Sequence, residues 1–267
     1  MIGEHVVVDD KATHAELADR GEILRTQVGS GVHGIAVAGT DDRDEMGVFI
    51  EPPERVMGVN SPIDTVTWRS KPEGERSEPG DLDLVRHSLR KYLRLAVKGN
   101  PNFLLPLFAP KDQIVIRSQF GNELRALRGA IISRKAVHQT LGYLAGQLER
   151  LTKERKLPNR PELIEKYGWD TKYGSHAVRL AYQAYELATS GGIKLPMDPV
   201  YRQVVLDVKT GKRTKAETLE LVNETAHMVE KVMESDRGCP LRAEPDYASI
   251  NIWAVSAHQR FWTGETS

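Results

Sequence analysis

The feature that most limits what this chain can become is where its strand-like segments stop. Residues 22–28, 46–50 and 63–68 read as strands, the second closed by Pro52-Pro53 and the third marked by alternating β-branched residues. Leu82 to Val85 is a further short apolar segment, leading into a helix that Gly99-Asn100-Pro101 terminates. Residues 11–20 read as a short helix, and 69–81, with two prolines and two glycines among many charges, as a loop. Beyond a boundary near 110–133 the pattern is almost entirely helical: 119–129, 134–156, 172–190, 199–209, 214–236 and 245–260, punctuated by Pro158, Pro161, Gly191-Gly192, Gly211 and Gly238 to Pro240. So few strands, all early, can build only one small sheet. The fold class expected is α+β, a small mixed sheet with flanking helices followed by an all-helical C-terminal region.

Composition narrows the partners. Lys plus Arg and Asp plus Glu each number 37, so no global field draws the chain to nucleic acid or membrane, and any such contact needs a local patch. The lone cysteine, Cys239, excludes an internal disulfide and a cysteine-built zinc site. His138, His227 and His258 have no ligand spacing, so no zinc is expected from them either. The first residues lack a basic segment followed by an apolar run, and no stretch approaches the ~20 apolar residues of a membrane span. A reducing, cytoplasmic setting is the expectation.

The stretch GSGVHGIAVAGTDDRDEMGVFI, residues 29–50, sets four carboxylates (Asp41, Asp42, Asp44, Glu45) before an apolar strand. Aspartate is a poor strand former, and like charges repel. With a strand starting near Asp42, alternation puts Asp42, Asp44, Met46 and Val48 on one face and Arg43, Glu45, Gly47 and Phe49 on the other. Two carboxylates on one face at a strand mouth suit a divalent ion of the Mg²⁺ type, with substrate phosphates and water completing its shell. Gly29-Ser30-Gly31 offers backbone N–H groups and a hydroxyl for a phosphate. A solvated acidic turn is the plain alternative. An EF-hand loop fails because its fifth and twelfth positions would be Met46 and Pro53. GSGVHG spells a dinucleotide-binding glycine pattern but lacks the helix that pattern requires.

The order strand, Gly-Ser, Asp-x-Asp, strand resembles the nucleotidyltransferase fold of the DNA polymerase beta superfamily. More closely, it is similar to the predicted nucleotidyltransferases associated with RNA ligases. LDLVRHSLRKYLRLAVKGNPN (82–102) resembles that family's segment with the third carboxylate, and EKYGWDTKYGSHAVRLAYQAYELATSGGIKLP (165–196) its helical signature. The resemblance implies catalytic and metal-binding roles for Asp42, Asp44 and Asp83, with Mg²⁺ or Mn²⁺ as cofactor. It implies that an NTP is held by Gly29 and Ser30, with His33, Lys172, His176 and Arg179 as further binding residues. It divides the chain into a catalytic core, 1–118, and a helical substrate-binding region, 119–267. The implied reaction moves a nucleoside monophosphate to an acceptor hydroxyl, an RNA end in repair or modification being one candidate beside a protein hydroxyl or small molecule. The alternative is a catalytically inactive nucleotide- or RNA-binding module or antitoxin-like partner. Gly-Ser and Asp-x-Asp stand one residue further apart than the commonest family spacing, so Asp41 and Arg43 compete for the motif. Gly47-Val48 falls in register only with 42 and 44. FLLPLF (103–108) is wholly apolar where relatives often carry a glutamate.

Several readings stay open on the residues alone. Asp81 or Asp83 could cap a helix through 86–97 rather than hold metal. Arg86, Arg90 and Arg94 are spaced by four and, with Lys91 and Lys98, could form a helical stripe for RNA or triphosphate, or a solvated face. Arg150, Lys153, Arg155, Lys156 and Arg160 could merely complement a helix end. Lys172, His176 and Arg179 share a helix face, with Tyr182 one turn on. His33 could touch phosphate or base, or be an ordinary loop residue.

Overall fold

The computed structural model describes residues 10–37, 42–71, 80–152, 160–235 and 238–265. Asp41, Lys153, Arg155 and Lys156 therefore lie outside the described residues, as do 72–79 of the expected loop. Five strands, β1 (Glu22–Gln27), β2 (Arg43–Phe49), β3 (Thr65–Arg69), β4 (Leu82–Ser88) and β5 (Ile114–Arg117), form one sheet in the order β3-β4-β2-β1-β5. β2 and β4 run parallel and the other neighbours antiparallel, so the sheet is mixed. Helices α1 (Asp10–Gly21), α2 (Gly29–His33), α3 (Pro53–Val56), α4 (Leu89–Ala96) and α5 (Pro101–Phe108) are interleaved with the strands. Every described element after β5 is a helix: α6 (Gln119–Ala126), α7 (Arg128–Ile131), α8 (Arg134–Thr152), α9 (Pro161–Tyr167), α10 (Thr171–Ser190), α11 (Pro199–Lys209), α12 (Lys215–Glu234) and α13 (Tyr247–Thr263).

The expected helix beginning at residue 86 is corrected. β4 stays paired with β2 as far as Ser88 opposite Phe49, and the helix starts only at Leu89. Ser88 decides the boundary, because its side chain accepts from the Lys91 N–H at 3.3 Å. Such a cap is worth about 1 kcal/mol, and it leaves neither Asp81 nor Asp83 a capping task. Arg86 is consequently a strand residue bonded to Asp19 of α1, while Arg90 bonds the fully buried Glu51 at 2.8 Å, so the stripe of 86, 90 and 94 does not exist. α4 instead buries Leu89, Tyr92, Leu93 and Ala96, the i, i+3, i+4, i+7 set of an amphipathic helix.

Besides the short helices α3 and α9, which open on Pro53 and Pro161, two elements escaped the sequence pattern. α5 is buried from Phe103 to Leu107, and an element apolar on every side has no periodicity to read. β5 is only four residues long and pairs with β1 at the sheet edge. The expected helix over 119–129 is split into α6 and α7, where the Leu127 N–H is shared between the Glu123 and Leu124 carbonyls.

One apolar core joins the sheet (Ile23, Leu24, Met46, Val48) to α4, α5, the end of α10 (Ala184, Leu187, Ala188), Val229 of α12 and Ile250 of α13. A second, around Ala177, Val178, Leu180 and Ala181, packs the middle of α10 against Leu144 of α8, Val205 and Val208 of α11 and Val222 of α12. α10 thus runs through both. Asp170 caps its start through the Lys172 and Tyr173 N–H groups, and Gly191, at φ 76°, ends it. Its small residues let neighbouring helices close around it, which carries Arg179 indoors.

Candidate functional site

The site begins with strand register. β2 and β4 lie parallel with Asp44 opposite Asp83, so the two side chains stand on the same face of the sheet. Asp42 is on the approach to β2, where the Arg43 N–H donates to the Asp81 carbonyl at 2.8 Å. Carboxylate oxygens of Asp42, Asp44 and Asp83 all lie within 4.8 Å of one another, and all three residues are half-buried. Among the described residues this is the cluster of three side chains with metal-ligand chemistry. At an effective dielectric of about 20, each pair of such charges repels by roughly 3–4 kcal/mol. Arg69 of β3 answers part of this by gripping both Asp83 oxygens, at 2.8 and 2.9 Å. Hard oxygen donors at this spacing fit Mg²⁺ or Mn²⁺ and do not fit a thiolate- or imidazole-seeking metal. The sequence pattern gave no sign of Arg69, since the contact depends on antiparallel pairing of β3 with β4 across a long loop.

Gly29 fastens the second component to the first. Its φ is 64°, and a Cβ there would sit 2.2 Å from Asp44 Oδ2, so only glycine lets α2 start against the carboxylate. The Val28 N–H donates to the Asp44 carbonyl at 2.8 Å, fixing the start of α2 beside β2. Half-buried Ser30 follows directly. α2 ends at His33, which is fully buried.

His33 meets α10. Arg179 Nη1 donates to His33 Nε2, which leaves the proton of this neutral imidazole on Nδ1. That Nδ1 is buried with no hydrogen-bond partner among the described residues. Burial, reinforced by Arg179 and His176, holds the His33 pKa well below the usual histidine value. Arg179 is only 8% exposed, and burial lowers its pKa to about 10, with no carboxylate of the described residues pulling the other way. His176, one turn earlier, is pushed down to about 3 by burial and then by the charges of Arg179, Arg150, Lys172 and Arg160. Lys172 itself is exposed. Arg160 pairs with Asp170 at 2.9 Å and lies over the Tyr173 ring, with Arg150 on the same ring. Tyr182 stacks on Tyr201 at 4.1 Å and belongs to the packing. A buried guanidinium facing neutral imidazoles, without a carboxylate among the described residues, is an expensive arrangement that an anion relieves.

Thus Asp42, Asp44 and Asp83 come together, Gly29 and Ser30 adjoin them, and His33, His176 and Arg179 form a second cluster reached through α2, with Lys172 at its rim. No described helix is long and apolar enough to cross a membrane. A comparison with curated proteins gives no match. The model of the RNA repair pathway DNA polymerase beta family, RlaP, matches residues 8–255, a span that includes both clusters. The chain therefore belongs to that family, a nucleotidyltransferase-like branch of the polymerase beta superfamily tied to RNA repair.

Proposed function

We propose that the protein is a Mg²⁺-dependent nucleotidyltransferase that moves a nucleoside monophosphate from an NTP to an acceptor hydroxyl at an RNA end. The observation that carries this reading is the juxtaposition of two clusters of opposite sign. Three carboxylates lie within 4.8 Å, and α2 links them to a buried arginine with no carboxylate beside it among the described residues. A triphosphate needs both a cation-binding end and a cationic well. Asp42, Asp44 and Asp83 would hold the divalent ion, which supplies positive charge at the reacting phosphate. Gly29 and Ser30 receive the phosphate tail with backbone N–H and hydroxyl. Arg179 neutralises it from within, the unpartnered His33 Nδ1–H and His176 line the well, and Lys172 guards its rim. The acceptor oxygen attacks the α-phosphorus and the new P–O bond forms. The bond to the bridging oxygen breaks, pyrophosphate leaves, and the hydroxyl proton passes to the Asp83 carboxylate. In this reading residues 1–118 carry the chemistry and 119–267 hold the substrate.

Incubating the protein with Mg²⁺, α-labelled NTPs and RNA bearing a free 3′-hydroxyl tests this. Label should enter the RNA, and the double variant Asp42→Ala, Asp44→Ala should lose at least on the order of 10³-fold of the rate. Equal labelling by that variant rejects the assignment. Tight nucleotide or RNA binding that ignores the metal, with no transfer, would replace it with an inactive binding module.

A further inference from the structure

The sheet face that carries Asp44 and Asp83 continues outward. β3 is an outer strand, and its antiparallel register sets Arg69 opposite Asp83, Thr67 opposite Val85 and Thr65 opposite His87. Alternate residues share a face, so Arg69, Thr67 and Thr65 form one row on the aspartates' side of the sheet, about 6.6 Å apart. That interval is close to the phosphate repeat of an extended single strand. Thr67 is exposed. At the far end Lys91 of α4 donates from Nζ to Thr65 Oγ1 at 2.7 Å, and Thr65 is bonded in turn to His87 Nδ1 at 3.0 Å. Burial, with Lys91 beside it, holds the His87 pKa at about 4, so the imidazole adds no charge here at neutral pH. A groove of about 570 Å³ runs along the outer edge of β3 between this row and α1, lined by Thr65, Thr67, Arg69 and Lys71 and, from the opposite face, by Val66, His14 and Ala15.

The acids near this row are already engaged at its margins: Asp83 by Arg69, Asp81 by Lys71 at 3.3 Å, and Asp64 by Arg94 at 3.6 Å. The Arg94–Asp64 pair is open to water and worth little, whereas Arg69 and Lys71 sit in partly buried pairs. Lys91, by contrast, is held by a neutral hydroxyl. With equal numbers of basic and acidic residues over the whole chain, nucleic acid can be recruited only by such a local track.

We propose that this row is the track for the single-stranded RNA that supplies the acceptor. Its terminal hydroxyl would lie at the aspartates, and its upstream phosphodiesters would lie along Arg69, Thr67 and Lys91. The position of the reacting end rests on the nucleotidyltransferase reading; the binding does not. Arginine, lysine and threonine in a row are phosphate-positioning groups, so the track takes RNA without regard to sequence.

Fluorescence anisotropy with a short 5′-fluorescein oligouridylate, the full chain and a salt series tests the track. Wild type should bind. Lys91→Gln should weaken binding about 3- to 10-fold and make the log–log salt dependence shallower by about 0.7. Thr67→Glu alters an exposed side chain outside the Lys91–Thr65–His87 trio, and should weaken binding at least as much. Wild-type affinity in either variant, or a wild-type protein that binds no RNA, overturns the track. No nucleotide or metal enters the titration, so a nucleotidyltransferase site that proved inactive would leave its outcome unchanged.

Discussion

The acidic cluster of the sheet and the cationic cluster of the helices solve opposite problems. Asp42, Asp44 and Asp83 are half-buried at a strand mouth, where water and Arg69 temper their repulsion. Arg179 and His33 are interior, where solvent cannot help, and no carboxylate of the described residues offsets the arginine. The first cluster is tolerable without a ligand; the second is a standing expense that a bound anion removes. Ligand-free stability is therefore expected to respond more to changes in the cationic region than to changes at the aspartates.

Titration gives the largest contrast. His33 and His176 are neutral in the folded protein, with folded pKa values depressed below about 6.5, while unfolded histidines take up protons below that value. Stability contributed by these two is thus fully present above pH ~6.5 and drains as pH falls towards the folded value, about 3 for His176. The slope should approach about 1.4 kcal/mol per pH unit for each histidine. Denaturant unfolding at stepped pH should show this loss beginning well above the range in which ordinary aspartates titrate. A flat profile between pH 6.5 and 4.5 would break the contrast.

Arg179→Met should sharpen it further. Nucleotide affinity should fall by about 10²-fold by calorimetry, whereas the ligand-free protein should hold its stability or gain about 1 kcal/mol, since an unpaired buried charge is exchanged for an apolar side chain. A large destabilisation would mean that the guanidinium is structural. The smallest effect belongs to the hinge between the clusters. Gly29→Ala forces a side chain into φ 64° and against Asp44, and should cost about 1–3 kcal/mol while slowing transfer. Unchanged unfolding and unchanged transfer would show that α2 does not need to touch the carboxylate.

Local pattern carried much of this. The alternation that puts Asp44 with Met46 and Val48 on one face needs only the period of a strand, and β2 has it. The order of strands and helices followed from apolar spacing and from Pro and Gly punctuation. Failures came where distant partners outvote local preference. Arg86 looked helical until β4 found β2, and FLLPLF carried no period because it is buried all round. Arg179 looked like one of three cations on a helix face, yet α10 is enclosed on nearly every side, which separates exposed Lys172 from buried Arg179.

By itself, the sequence determined the α+β order, the Gly-Ser turn at 29–30 and the carboxylates available at 42, 44 and 83, because propensity, alternation and side-chain chemistry act over a few residues. Only the tertiary structure decided which charges meet. The parallel register of β2 and β4 brings Asp83 to Asp44, and the antiparallel register of β3 brings Arg69 to Asp83. The burial of α10 turns Arg179 from a surface cation into an interior one that calls for an anion. Each depends on contacts between residues far apart in the chain, and long-range pairing and desolvation leave no mark on local spacing.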